Sequence, residues 1–188
     1  MAAERVLIIG GMGSGKTTLA AEIGRLAELP VHDLDQIVRA GGGTGPLRRP
    51  EERDAMVTDI VESPRWVAEG VHLGWTEPLL DAAEVVIWLD HVAWGRASSR
   101  MVRRFYSQAF AEARRQRGWR RFFRFRDYGR RLAELGRAIP ESRRYHREST
   151  EAGRSATAEF LTPYQDKVIH CRTSADVREA VAKVATGG

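Results

Sequence analysis

Val6-Leu7-Ile8-Ile9 is the first continuous apolar run of the chain, closed by Gly10-Gly11, and after Lys16 the period changes to helical spacing as far as Leu29. A second short run, Pro30-Val31-His32, leads into Asp33-Leu34-Asp35, and Gly41-Gly42-Gly43-Thr44-Gly45-Pro46 then reads as a flexible loop. From Pro50 to Glu62, acidic residues come early and Met56, Val57, Ile60 and Val61 share a face, which predicts a helix with proline in its first turn. Trp66-Val67-Ala68 is a third strand ending at Glu69-Gly70. Val85-Val86-Ile87-Trp88-Leu89, apolar throughout as a strand covered on both faces should be, is a fourth, ending at Asp90. A long helical stretch follows, then a fifth strand, Lys167 to Cys171, and an N-capped amphipathic helix from Ser174 to Val184 with Val177, Ala180, Val181 and Val184 on one face.

Five short buried strands separated by helices predict an α/β fold with a doubly wound, five-stranded parallel sheet. No linker or repeat divides the chain, so residues 1–188 are read as a single domain with an insertion over approximately 96–150. One cysteine, Cys171, excludes an internal disulfide framework and reads as a small core residue. No apolar run reaches the roughly 20 residues of a membrane span, and the four apolar residues after Arg5 are too few for a signal-peptide core; the expectation is a cytoplasmic protein.

The net charge of +5 is unevenly placed. Between Arg96 and Thr150 there are 17 arginines and no lysine against five carboxylates, a window of +12, while the remainder carries 13 cationic against 20 anionic residues, or −7. Arginine is the residue best suited to bidentate phosphate contact, so the insertion points to a phosphorylated ligand or a nucleic acid.

Gly10-Gly11-Met12-Gly13-Ser14-Gly15-Lys16-Thr17 has the glycine, four residues, Gly-Lys-Thr spacing of a phosphate-binding loop, in the place such a loop needs, between a strand and a helix. Glycines let backbone N–H groups curl round phosphates and the helix N-terminus adds partial positive charge. Lys16 then reaches the β and γ phosphates, and the Thr17 hydroxyl serves a magnesium ion, with Thr18 continuing the helix start. ATP and Mg²⁺ are the expected ligands.

Ligands of open parallel sheets sit outside the carboxyl ends of the strands. Asp33 and Asp35, Glu69, and Asp90 end strands two, three and four. If the second strand continues, Asp33 and Asp35 point the same way. One then holds hydrated magnesium and the other accepts a hydrogen bond from a substrate hydroxyl, the metal role falling to Asp33 and the acceptor to Asp35. Against this stands helix capping by one of them, Asp35 being the better cap for Gln36 to Val38. Glu69 suits the acid that completes the magnesium shell through water, and Asp90 suits a cap for the helix after it.

The series Ile8 to Thr18, His32-Asp33-Leu34-Asp35, Trp66-Val67-Ala68-Glu69-Gly70, Val86-Ile87-Trp88-Leu89-Asp90 and Arg100 to Arg104 resembles the adenylate kinase-like P-loop kinases. Within them it is most similar to the bacterial DNA topology modulation (FlaR-like) proteins, over residues 5 to 105 and 166 to 185. The resemblance implies a P-loop NTPase fold whose arginine-rich insertion is a helical lid, and transfer of the ATP γ-phosphoryl group to a small acceptor. It places Arg103, with Arg100 and Arg104, over the phosphates. Asp33-x-Asp35 is also similar to shikimate kinases, where such a pair serves magnesium and the acceptor hydroxyl. Three departures leave the acceptor unnamed. Glu69-Gly70 stands for the usual Asp-Gly, Val71-His72 for Asn-Tyr, and the chain's one Gly-Gly-Gly, Gly41-Gly42-Gly43, reads as a loop and not as that of a shikimate site.

Within the insertion, Trp119-Arg120-Arg121-Phe122-Phe123-Arg124-Phe125-Arg126 interleaves aromatics with cations. That pattern suits aromatics packed under a lid, bases stacked along DNA or RNA, or a helix lying on anionic lipid or a partner helix. The second function class is accordingly an ATPase that holds nucleic acid through this segment. Gly41 to Gly45 lacks a preceding strand and a following lysine, so it reads as a hinge for an acceptor-binding flap. The five histidines, His32, His72, His91, His146 and His170, show no metal-ligand spacing. Thr173 and Ser174 follow the fifth strand and by position border the adenine.

Overall fold

The N-terminal apolar run forms strand β1, Arg5–Gly10, in the computed structural model, which describes residues 2–40, 45–70, 74–90 and 153–186. It feeds α1 (Lys16–Ala27), and the chain then alternates through β2 (Val31–Asp33), the short α2 (Leu34–Val38), α3 (Pro50–Glu62), β3 (Trp66–Gly70), α4 (Glu77–Ala82) and β4 (Val85–Leu89). The described chain resumes with α5 (Arg154–Phe160), a 3₁₀ turn at Thr162–Tyr164, β5 (Val168–Cys171) and α6 (Ser174–Thr186). All four strand pairings are parallel, in the order β2-β3-β1-β4-β5, so the fold is α/β with a doubly wound five-stranded sheet.

Strand alternation sends successive residues to opposite faces, and both faces are dry. Val6, Ile8, Val67, Ile87 and Leu89 pack with Leu19, Ala20 and Ile23 of α1 and Ala180 and Val184 of α6. Leu7, Ile9, Trp66, Ala68, Val86 and Trp88 pack with α2, α3 and α4 through Leu34, Ile37, Val57, Ile60, Leu79 and Leu80. Cys171 is fully buried in the first of these layers as a free thiol, and burial pushes it up to about 11.

The helix at Pro50–Glu62 and the third and fourth strands stand where the periodicity places them. Helix α4 has no periodic signature, because six residues do not complete two turns. Its end is held from outside: the Lys167 ammonium donates to the carbonyls of Leu80 at 2.6 Å and Asp81 at 3.1 Å, satisfying acceptors a short helix leaves open. The cap of α6 is Thr173, whose hydroxyl accepts from the Asp176 amide, while the Asp176 carboxylate takes the Thr173 and Arg172 amides. Those bonds hold the Asp176 carboxyl below its usual range.

The stretch read as an arginine-rich helical lid, approximately 96–150, falls outside the described residues, with the Trp119 to Arg126 segment. No helix among the described residues is long and apolar enough to cross a membrane.

Candidate active site

The carboxyl ends of β1, β3 and β2 lie side by side, with Ile9 opposite Gly70 and Asp33 opposite Glu69. The phosphate-loop motif begins at the first of them. Its turn depends on Gly15, the residue before α1, which sits at φ 102°, a left-handed conformation that L side chains rarely adopt. Lys16 opens the helix half-buried, with Nζ 3.4 Å from the Gly11 carbonyl. Burial lowers its pKa, and Glu69, Asp35 and Asp33, in that order, push back as negative charges in the same field.

The Thr17 hydroxyl donates to Glu69 Oε1 at 2.6 Å, linking α1 to β3 at this end of the sheet. Glu69 is 4% exposed, and burial raises its pKa against the opposing pull of Thr17 and Lys16. A hydroxyl paired with one buried carboxylate beside an ammonium fits Mg²⁺, a hard cation that keeps several waters and takes one or two protein oxygens together with substrate phosphates. Among the described residues no three His, Cys, Asp or Glu side chains form a closed metal cage.

The Ser14 amide donates to the Gly11 carbonyl at 3.2 Å inside the loop, and its hydroxyl is buried with no hydrogen-bond partner among the described residues. Met12, Gly11 and Gly13 fill the turn between β1 and α1, and Thr18 lies exposed on the first turn of the helix.

The expectation that Asp33 and Asp35 share a strand face is corrected. Strand β2 ends at Asp33 and α2 starts at Leu34, so the cap is Asp33, not Asp35: Asp33 Oδ1 accepts the Asp35 amide at 2.9 Å and Oδ2 accepts Gln36 Nε2 at 3.2 Å. Side-chain period 2 gives way to helical geometry between them. A metal ligand at Asp33 would therefore have to share oxygens already engaged at the cap. Asp35 sits in the first turn of α2, where the Leu34 side chain brings the helix down on the end of β3. A Cβ at Gly70 would stand 2.8 Å from Leu34 Cβ, so only glycine admits this approach.

Asp90, at the end of β4, is a hub. Its Oδ1 accepts from Arg154 Nε at 2.7 Å and its Oδ2 lies 3.1 Å from His170 Nε2. His170 stacks on Trp88 at 3.9 Å with an interplanar angle of 10°. These residues, with Ser155, Ala158 and Arg172, line an open cleft of about 590 Å³. Arg154 had no sequence signal, because its partner lies 64 residues away. The helix that Asp90 was expected to cap lies outside the described residues, as do Arg100, Arg103, Arg104, His72, His91 and His146. So does most of the Gly41 to Gly45 loop, but its base is described: Arg39 bridges Leu47 antiparallel, and Ala40 N donates to Pro46 O at 3.0 Å.

No protein-family model matches the sequence, and no curated protein sequence matches it. Solved structures do. A gluconokinase from Sinorhizobium meliloti 1021 superposes with a TM-score of 0.52 at 14% identity, over 97% of this chain and 91% of that one. Shikimate kinases from Acinetobacter baumannii (14% identity, 96% of this chain and 90% of that one) and Bacteroides thetaiotaomicron (16%, 97% of each) both give 0.48. At such identity the likeness is one of fold alone, the α/β architecture with its parallel sheet.

Proposed function

We propose that this chain is an ATP-dependent phosphotransferase that moves the γ-phosphoryl group to a small acceptor bearing a hydroxyl or phosphate. The observation that carries the reading is the Thr17–Glu69 hydrogen bond of 2.6 Å beside a half-buried Lys16, at the joined carboxyl ends of β1 and β3. The phosphate-loop amides from Gly10 to Thr18 and the Lys16 ammonium hold the triphosphate. Thr17 and Glu69 would hold magnesium, which supplies charge neutralisation at the β and γ oxygens. Asp35 orients the acceptor and takes its proton while the acceptor oxygen bonds to Pγ and the bond from Pγ to the bridging oxygen breaks, releasing ADP. Arg103, with Arg100 and Arg104, is the proposed cation over the transferring group. The fold shared with a gluconokinase supports a kinase of small molecules.

The test is ADP formation from ATP with panels of nucleoside monophosphates, sugars and small acids. Acceptor-dependent ADP that disappears in Lys16→Ala is the expected result. ATP binding without turnover on any acceptor overturns the reading.

A second reading, an ATP-binding protein that holds DNA or RNA, rests on the 17 arginines of residues 96–150. It requires binding of a labelled oligonucleotide that weakens steeply as salt rises. Absent or salt-independent binding removes it.

A further inference from the structure

Helix α2 has five residues, far fewer than the dozen or so an isolated helix needs to hold together in water, so its shape is imposed from outside. At its amino end the Asp33 carboxylate takes the Asp35 amide and the Gln36 side chain. Its carboxyl end is finished almost entirely by one residue. Arg48 Nη1 lies 2.7 Å from the Gln36 carbonyl, 3.2 Å from that of Ile37 and 2.7 Å from that of Arg39. The Arg48 backbone amide donates to the Val38 carbonyl at 2.9 Å, and the remaining carbonyl, that of Asp35, accepts from the Arg39 amide at 3.2 Å. A half-buried guanidinium thus occupies the place where the helix dipole is negative and where carbonyls otherwise go unpaired.

The antiparallel bridge between Arg39 and Leu47 brings Arg48 there, folding the chain back on the helix it has just left. Leu34 and Ile37 pin the apolar side of α2 into the core. The side chain that matters on the polar side is Asp35, which shares the electrostatic field of Lys16 and Glu69.

We infer that Arg48 is a positioning residue: by holding the carbonyl end of α2 it fixes where the Asp35 carboxylate stands against Lys16 and Glu69. This rests on the phosphotransferase reading for the role of Asp35, but the clamp itself does not. Arginine suits the task because its nitrogens sit in a rigid plane and remain charged at any working pH, and an ammonium on a flexible stem reproduces only part of it.

The experiment uses the full chain with Arg48→Met, Arg48→Lys, Asp35→Asn and Arg48→Met/Asp35→Asn. Amide hydrogen exchange is read at residues 36–39, Mg-ATP turnover with and without the acceptor panel, and affinity for a fluorescent ATP analogue. Arg48→Met is expected to speed exchange at Val38 and Arg39 by about tenfold or more while the β1 and β3 amides stay protected. It is expected to lower turnover by about tenfold or more with nucleotide affinity unchanged, since small misplacements of a reacting group are costly. Arg48→Lys recovers part of both, and adding Arg48→Met to Asp35→Asn costs nothing further. Unchanged exchange in Arg48→Met overturns the clamp regardless of turnover. Equal losses from Arg48→Met with and without Asp35 overturn the positioning role. If exchange rises as expected but Asp35→Asn turns over like the parent protein, the clamp stands, and both the role of Asp35 in the proposed reaction and the positioning role that depends on it fall.

Discussion

The Thr17 hydroxyl and the Glu69 carboxylate meet at 2.6 Å across 52 residues of sequence, joining the first turn of α1 to the end of β3. Glu69 is the one charged residue that is buried among those described, and its burial is only partly offset by its neighbours. A carboxylate kept there without a full set of partners stabilises the fold less than a neutral side chain would, as expected of a group placed for a ligand.

Removing that charge should therefore have a pH signature. Because the folded state raises the pKa of Glu69, its contribution to stability is fully present below the ordinary value of 4.5 and is lost as pH rises through the raised value. Urea midpoints of Glu69→Gln and the parent protein, measured without nucleotide, should coincide near the bottom of that window and separate in favour of Glu69→Gln above it. The separation grows by at most about 1.4 kcal/mol per pH unit, and no gap at neutral pH would contradict the burial argument. Mg-ATP binding should weaken in the same variant.

Lys16→Ala should uncouple function from stability. Burial lowers the lysine pKa, so its ammonium is held at a cost that three carboxylates only partly offset. We expect the urea midpoint to stay level or rise, while acceptor-dependent turnover falls by about 100-fold or more, in line with the loss of a preorganised charge at a reacting centre. A parallel collapse of both would mean the lysine is mainly structural.

At Gly70 the smallest substitution should move α2, which carries Asp35, the proposed acceptor-orienting residue. Its added methyl would stand 2.8 Å from Leu34 Cβ and 2.9 Å from Leu34 Cδ1, so α2 must shift. Gly70→Ala should cost about 1–3 kcal/mol in chemical denaturation, the range for overpacking, and reduce turnover more than nucleotide affinity. Unchanged turnover would show that α2 tolerates displacement.

Asp90→Ala should destabilise by about 1–3 kcal/mol, because it leaves Arg154 and the half-buried His170 without their shared acceptor. Asp90→Asn, which keeps an acceptor oxygen, should recover part of that. Thermal unfolding distinguishes the two, and equal midpoints for Asp90→Ala and the parent would remove Asp90 as a structural hub.

Much of this molecule is legible locally. The runs Val6–Ile9 and Val85–Leu89 are apolar enough to be strands covered on both faces, and the glycine-rich loop before Lys16 has the spacing of a phosphate-binding loop. Glu69 and Asp33 are legible as strand-end carboxylates, at the carboxyl edge of a parallel sheet, where ligands collect. The roles of Asp33 and Asp35 were harder to separate, since the choice between continuing a strand and capping a helix turns on packing of Leu34 against Gly70. Helix α4 and the clamps of Arg48 and Lys167 left no local trace.

The division has a physical cause. Backbone preference, side-chain period and a contiguous phosphate loop are properties of neighbours in sequence, so the chain alone determined the α/β class, the strand positions and the nucleotide motif. Thr17 with Glu69, Arg48 with the end of α2, and Asp90 with Arg154 and His170 are pairings between separate elements. Only tertiary packing, which sets distances between groups 9 to 80 residues apart, decided those.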